Sequence, residues 1–282
     1  MLVRLAQTSP RLGDMEYNFE QCRDLIRTAR GDGVDLIVFP ELALNGYLLK
    51  DMVSLTGLGE DDPKVRELIS LSSDISVLIG LVEHGDDHFY YNSAFYLENG
   101  RLAARHRKGH LPTYGMFDEG RYFSPGNRVK AFNTRFGRMG VMICEDAWHP
   151  INPYILSQDG AELLAIISNS PVRGMRENGM FRSVENWRLI SRSYALLYSD
   201  FVLYVNRAGC EDGISFSGSS HALDPNGETI AELPFLEEAA ATLEIDLDEL
   251  SRARVGSPML RDEKFLTSLN ELERIKKESF GD

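Results

Sequence analysis

Three observations predict an α/β fold for this 282-residue chain. Short apolar runs of strand length alternate with amphipathic stretches of helical period. Several of those runs are solidly apolar, as strands covered on both faces are. Gly and Pro are scattered, with no repeat, low-complexity segment or linker. A single compact domain follows, with sheets covered by helices on their outer faces.

Residues 2–6 read as the first strand. Asp14 is placed to cap a helix whose Phe19, Cys22, Leu25, Ile26 and Ala29 share one face. Residues 34–39 form an apolar run closed by Pro40, a doubly covered strand. Asp62-Pro63 opens a second helix that buries Val65, Leu68 and Ile69, and 76–82 reads as a strand. Residues 91–97 and 102–106 form a hairpin about Asn99-Gly100, a favoured tight-turn pair. In the second half, strands at 129–132 and 139–144 flank a turn at 135–137, and 163–168 is a buried strand. A long helix is expected over 178–198, then strands at 201–206, 222–230 (bent at 224–227) and 241–245. The segment 262–280 is helical and highly charged.

Composition excludes several classes of function. Hydrophobic residues make up 43% and charged residues 26%, the profile of a folded globule. With 30 Lys+Arg against 43 Asp+Glu the net charge is −13, which repels a phosphate backbone, so nucleic acid is not an expected partner. No apolar run approaches the roughly 20 residues that span a bilayer, and the first ten residues lack the pattern of a secretory signal. Cys22, Cys144 and Cys210 are odd in number and widely spaced, which fits neither a disulfide framework nor a zinc site. The cytoplasm is the expected location.

Reactive side chains stand at the ends of three apolar strands: Glu41, Lys108 and Cys144. Strand ends in α/β proteins share a rim, so residues distant in sequence meet there. A carboxylate, an ammonium and a thiol gathered in one pocket form an acyl-transfer set. The carboxylate takes the thiol proton, the sulfur attacks a carbonyl carbon, and the cation stabilises thiolate and oxyanion. Taken singly, each has an ordinary alternative: a buried small hydrophobe for Cys144, a loop or cap residue for Glu41, a solvated basic face for Lys108. A Cys–His pair using His149 or His221 is a further alternative. No two histidines have metal-pair spacing on a helix face, so neither metal nor cofactor is expected. Glu145 and Asp146 next to the thiol are expected to raise its pKa.

The longer segments decide between these. Phe39-Pro40-Glu41-Leu42-Ala43-Leu44-Asn45-Gly46-Tyr47 resembles the general-base segment of the nitrilase (carbon–nitrogen hydrolase) superfamily. Arg107-Lys108-Gly109-His110-Leu111-Pro112 resembles its lysine segment, and Gly140-Val141-Met142-Ile143-Cys144-Glu145-Asp146-Ala147-Trp148 its nucleophile segment. The resemblance implies a four-layer α-β-β-α sandwich over 1–250, with 251–282 as a helical C-terminal tail. It further implies Glu41 as base, Lys108 as oxyanion stabiliser, Cys144 as nucleophile and Glu119 as a second carboxylate beside the lysine. The alternative for Glu119 is a surface ion pair with Arg121. The backbone N–H of Glu145 is the expected second oxyanion donor.

Within the superfamily the chain is similar to the glutamine-hydrolysing domain of glutamine-dependent NAD synthetases. The segment from His110 through Tyr114 and Phe117 to Glu119, and Ser168-Asn169-Ser170-Pro171 followed by Arg176, carry that likeness. It implies a glutamine-like amide, with Tyr114 and Phe117 against its stem, Ser170 and Arg176 at its carboxylate, and Glu145 at its ammonium. For Ser170 the alternative is a turn cap, and for Arg176 a solvated face shared with Arg173, Arg182 and Arg188. Those synthetases continue into an ATP-using domain, whereas this sequence ends at Asp282 without a Gly-rich phosphate loop. The ammonia is therefore expected to be released or passed to a separate synthetase, or the substrate is another small amide, ω-amide or N-carbamoyl compound. Nitrile hydrolysis is disfavoured by the Tyr114 loop. The resemblance also implies homo-oligomers paired through outer helices, and Phe181, Trp187, Leu189, Ile190, Tyr194 and Leu197 suit either such a face or the core.

Overall fold

The computed structural model describes residues 1–176 and 181–281. Two six-stranded sheets lie face to face, each with a parallel centre and antiparallel flanks. In the first, Leu2–Gln7 runs parallel to Leu36–Val38, and that strand parallel to Ser76–His84. Ala239–Glu244 closes one edge, and Tyr90–Glu98 and Arg101–Arg107 the other. In the second, Gly137–Ile143, Leu163–Ser168 and Phe201–Asn206 run parallel. They are flanked by Phe132–Thr134 on one side and by His221–Leu223 and Thr229–Glu232 on the other.

The alternation of side chains along a strand builds the layers. Val141 and Ile143 face inward with Ala165, Ile167, Leu203 and Val205, meeting Val3, Leu5, Leu36 and Val38 of the opposite sheet. Their neighbours Met142, Leu164 and Ile166 face outward against Leu156, Trp187 and Tyr194 of helices Ile151–Gln158 and Arg182–Tyr198. On the other side Ile37, Val77 and Ile79 meet Phe19, Cys22, Ile26, Val65 and Leu68 of helices Met15–Gly31 and Pro63–Leu71. This is the α-β-β-α sandwich that the resemblance implied.

Local signals explain the elements. Asp14 accepts from Tyr17 N–H, so the expected cap forms, and Asp62 caps the second helix by accepting from Lys64 N–H. Asn99 and Gly100 take φ of 53° and 67°, the turn with positive φ at both central residues that suits a right-twisted hairpin.

Elsewhere the structure differs from the expectation. The strand expected from 129 begins at Phe132, because Ala131 N–H is taken by Asp159 rather than by a sheet partner. The strand expected through 144 ends at Ile143, and Cys144 opens the short 3-10 helix Cys144–Trp148. The helix Ile151–Gln158 and the hairpin Ala208–Glu211/Ile214–Ser217 were not expected. Of the helix expected over 178–198, the described part runs Arg182–Tyr198, and Asn178 lies outside the described residues. That helix divides its apolar side chains. Trp187 and Tyr194 enter the core, whereas Leu189 and Leu197 are 67% and 53% exposed. Among the described residues no helix is long and apolar enough to cross a membrane.

Candidate active site

The three strand ends do converge. Glu41 follows Leu36–Val38, and its backbone crosses Gly80 of the next strand so closely that an added Cβ there would lie 2.5 Å from the Pro40 carbonyl oxygen and 2.7 Å from Glu41 Cα. A glycine is what lets the Glu41 segment sit on the sheet. Lys108 follows Arg101–Arg107, and Cys144 follows Gly137–Ile143. Cys144 takes φ 47°, a left-handed conformation that costs a non-glycine residue about 1 kcal/mol or more and turns its side chain out of the strand direction.

Glu41 and Lys108 are fully buried, and Glu119 nearly so. Lys108 Nζ donates to Glu41 Oε1 and to Glu119 Oε1, each at 2.8 Å. Burial alone would strip the charge from Lys108, but the Glu119 and Glu41 carboxylates outweigh it and raise its pKa well above the ordinary value. Glu41 is further held by Asn92 Nδ2 on Oε1 and by Asn169 N–H on Oε2, both at 2.7 Å. Glu119 accepts from the Tyr47 hydroxyl at 2.6 Å, while the alternative partner Arg121 is exposed.

The Cys144 thiol accepts from Ser168 Oγ at 3.3 Å. Burial pushes the thiol up, the Glu41 charge adds to this, and Lys108 opposes it. The thiol is raised, as expected, but the charges responsible are Glu41 and Glu119 rather than Glu145 and Asp146. Asp146 turns away to the lysine segment, accepting from Gly109 N–H at 3.0 Å, His110 N–H at 2.9 Å and Ile143 N–H at 3.1 Å. His106 Nε2 and His110 Nδ1 lie 2.8 and 3.1 Å from its two oxygens. It thus ties the segment after Lys108 to the strand end before Cys144. Neither candidate histidine is recorded in a bond to the thiol: His149 stacks on His110 at 3.7 Å, and buried His221 bonds the Ser219 carbonyl.

Cys144 opens onto a cavity of about 390 Å³. Tyr114, Phe117, Glu145 and Ser170 line it, with the Tyr114 hydroxyl donating to Glu145 Oε2 at 2.9 Å. Ser170 does not cap a turn through its side chain; its N–H donates to Asn206 Oδ1 and its carbonyl accepts from Ser217 N–H. Arg176 is not brought to this wall. It is half exposed and ion-paired with Glu185 at 2.6 Å, and Arg173 and Arg182 line the cavity in its place. Arg173 lies over the Phe117 ring, 4.5 Å from its centroid. Trp148 and Trp187 complete the apolar side. Among the described residues no group of three or more His, Cys, Asp or Glu side chains is arranged to hold a metal ion.

Comparison with known proteins matches residues 2–255 to the family described as Carbon-nitrogen hydrolase. The chain belongs to the carbon-nitrogen hydrolase family. The enzyme is 34% identical over 264 residues to a glutamine-dependent NAD(+) synthetase of Thermotoga maritima, covering 92% of this chain and 44% of that protein. The hydrolase therefore spans less than half the length of that curated relative. It is 31% identical over 276 residues to an (R)-stereoselective amidase of a Pseudomonas species, covering 95% and 93% of the two chains. The solved carbon-nitrogen hydrolase of Helicobacter pylori G27 superposes with a TM-score of 0.83 at 26% identity, over 96% and 98% of the two chains.

Tyr47, Asn92, Asn169 and Ser168 join the site without having been given a role in the sequence, and Asp146 joins it in a role other than the one expected. Asn92 had a signal, an amide that with Ser93 interrupts a mostly apolar strand, and such a group is buried only when something bonds it. Tyr47 is placed at long range: Glu211 accepts from the N–H groups of Tyr47 and Leu48 and is itself paired with buried Arg207 at 2.6 Å. No local pattern in the sequence announces that support.

Proposed function

We propose that this hydrolase is a cysteine-dependent amidase that cleaves a glutamine-like amide through a thioester and sets ammonia free. The observation that carries the reading is the buried Lys108 ammonium, bonded to Glu41 and Glu119 at 2.8 Å each beside a cysteine whose strained turn opens on the cavity. In the first half-reaction the Cys144 S–H proton passes to Glu41 as sulfur bonds to the amide carbonyl carbon. The oxygen takes up negative charge against Lys108 and against Glu145 N–H, which lies in the first turn of its helix, where N–H groups have no intrahelical acceptor. Glu41 then returns the proton to nitrogen, the C–N bond breaks, and ammonia leaves. In the second half-reaction Glu41 takes a proton from water, the hydroxyl oxygen bonds to the thioester carbon, and sulfur leaves with the proton. Glu119 keeps Lys108 charged and oriented in both halves.

Glutamine fits the wall of the cavity, whose apolar side meets a methylene stem while Arg173 or Arg182 offers a partner for a carboxylate and Glu145 one for an ammonium. The near-complete coverage of the stereoselective amidase favours a second reading, hydrolysis of another small amide with no synthetase involved. The likeness to the NAD synthetase supports an ammonia-donating role as the outcome if glutamine is preferred. Exposed Leu189 and Leu197 on the outer helix support pairing with a second copy.

A steady-state panel of amides including L-glutamine, read by ammonia release, tests the proposal. The expected result is highest kcat/KM for glutamine or a near analogue, and a loss of several orders of magnitude in Cys144→Ala. Undiminished turnover in that variant removes the thioester mechanism. Preference for an amide lacking the amino-acid head selects the second reading.

A further inference from the structure

The ion cluster leaves a question open at the sulfur. Both Glu41 oxygens are already occupied, Oε1 by Asn92 and Lys108 and Oε2 by Asn169 N–H. Lys108 is divided between two carboxylates. The hydrogen bond that reaches Cys144 Sγ in this arrangement comes from elsewhere, from the Ser168 hydroxyl at 3.3 Å.

Strand register puts it there. Gly137–Ile143 and Leu163–Ser168 run parallel with Ile143 opposite Ile167, so the next residue on each side, Cys144 and Ser168, meets the other where the chain leaves the sheet. Ser168 is held from its far side too. It pairs with Asn206 across the neighbouring strand, and its carbonyl accepts from Arg207 N–H at 3.1 Å. It is fully buried, so water does not compete for its hydroxyl. A fixed donor in a dry site is worth more to a developing charge than one that must reorganise.

Resting on the thioester reading above, we propose that Ser168 is a further catalytic residue, whose hydroxyl donates to the Cys144 sulfur and stabilises the thiolate. As the S–H bond breaks and its proton goes to Glu41, the negative charge on sulfur strengthens the O–H···S bond. When the thioester is cleaved, the same donor meets the departing sulfur. The Ser168 O–H bond is never broken. Because this hydrogen bond is stronger to a thiolate than to a thiol or a thioester, it lowers the barrier rather than merely tightening binding.

The test is alkylation of Cys144 by iodoacetamide as a function of pH, followed at the Cys144 peptide because Cys22 and Cys210 are also free thiols. The charged and titratable groups facing the sulfur are Glu41, Lys108, Glu119, Tyr47, Tyr114 and Tyr204, with Glu145 on the cavity wall. Ser168→Ala leaves all of them in place. The expected result is an upward shift of the alkylation profile of about one pH unit and a fall in kcat of about tenfold, with KM and Tm retained. Ser168→Thr, which keeps a hydroxyl, is expected to follow the wild-type profile. A Ser168→Ala profile that superimposes on wild type overturns the proposal, as does a Ser168→Thr profile displaced as far as that of Ser168→Ala. Alkylation needs no turnover, so it judges Ser168 even if Cys144→Ala shows the thioester reading to be wrong.

Discussion

Asp146 and Glu119 are two carboxylates hidden to almost the same degree, 2% and 5% exposed. Burial pushes both up, yet they end at opposite extremes. Asp146 receives three backbone N–H groups and two imidazoles, and those bonds outweigh desolvation and hold it well below the usual carboxylate range. An ionised carboxylate only accepts, so both ring nitrogens facing it carry their protons. Glu119 receives Lys108 and Tyr47 on one oxygen, while buried Oε2 meets no donor among the described residues. Burial, with the Glu41 charge adding and Lys108 opposing, pushes it up to about 7. The supply of donors, rather than depth, sorts the two. A saturated carboxylate is a strut, and an undersupplied one is poised to hold a proton near neutrality.

Removing the cation breaks the comparison most severely. In Lys108→Met, Glu41 and Glu119 face each other with no positive charge between them, while Asp146 keeps its full set of donors. Loss of one partner from a buried ion cluster costs about 3–5 kcal/mol. Denaturant unfolding near neutral pH is expected to show that loss, together with a fall of several orders of magnitude in ammonia release. Wild-type stability in this variant would mean that Glu119 does not depend on Lys108.

How far the sequence reveals this pair depends on the reach of each bond. Glu119, Lys108 and Cys144 stand in short strings that can be recognised as strings, and the strands that carry them show as apolar runs. Asp146 stands in such a string as well, but its role lies with Gly109, His106 and His110, which no spacing rule links to it. Reading it as a neighbour of the thiol followed chain order, whereas the turn at Cys144 points it the other way. Arg176 stands away from the cavity wall, which its place in the sequence does not reveal either. Four arginines share the segment from 173 to 188, and composition does not tell which of them line the cavity, as Arg173 and Arg182 do. The short hairpin Ala208–Glu211/Ile214–Ser217 is stabilised by contacts such as Arg207 over the Phe216 ring at 4.2 Å, which carry no periodic signature.

Opposite shifts give opposite slopes of stability with pH. Glu119 is raised from 4.5 to about 7, so what it contributes is complete below pH 4.5 and is lost as pH rises through 7. The Tm gap between wild type and Glu119→Gln is therefore expected to fall across that window and level off above it. Asp146 is depressed from 3.8, so its contribution is complete above that value and is lost as pH falls toward the native pKa. Below pH 5, where His110, itself raised chiefly by its bond to Asp146, stays charged, the gap between wild type and Asp146→Asn is expected to widen as pH rises. Thermal melts of the three proteins at closely spaced pH values read both slopes. Gaps that run in the same direction would show that burial alone governs the two groups.

The smallest change sharpens the argument to a single donor. Tyr47→Phe removes the hydroxyl on Glu119 Oε1 but keeps the ring, which packs edge-on against Phe117 and Phe216 at 6.1 and 6.0 Å between centroids. The lost bond favours the ionised form of Glu119, so the carboxyl is expected to titrate at a higher pH than in wild type, by up to about one unit. The protonated-carboxyl infrared band that disappears in Glu119→Gln assigns the group, and its pH titration in Tyr47→Phe measures the shift. Global stability is expected to fall by only about 1 kcal/mol, because one neutral donor is lost and no charge is stranded. If the band titrates where it does in wild type, counting donors is the wrong measure at this carboxylate, and its raised pKa comes from the Glu41 charge and burial alone.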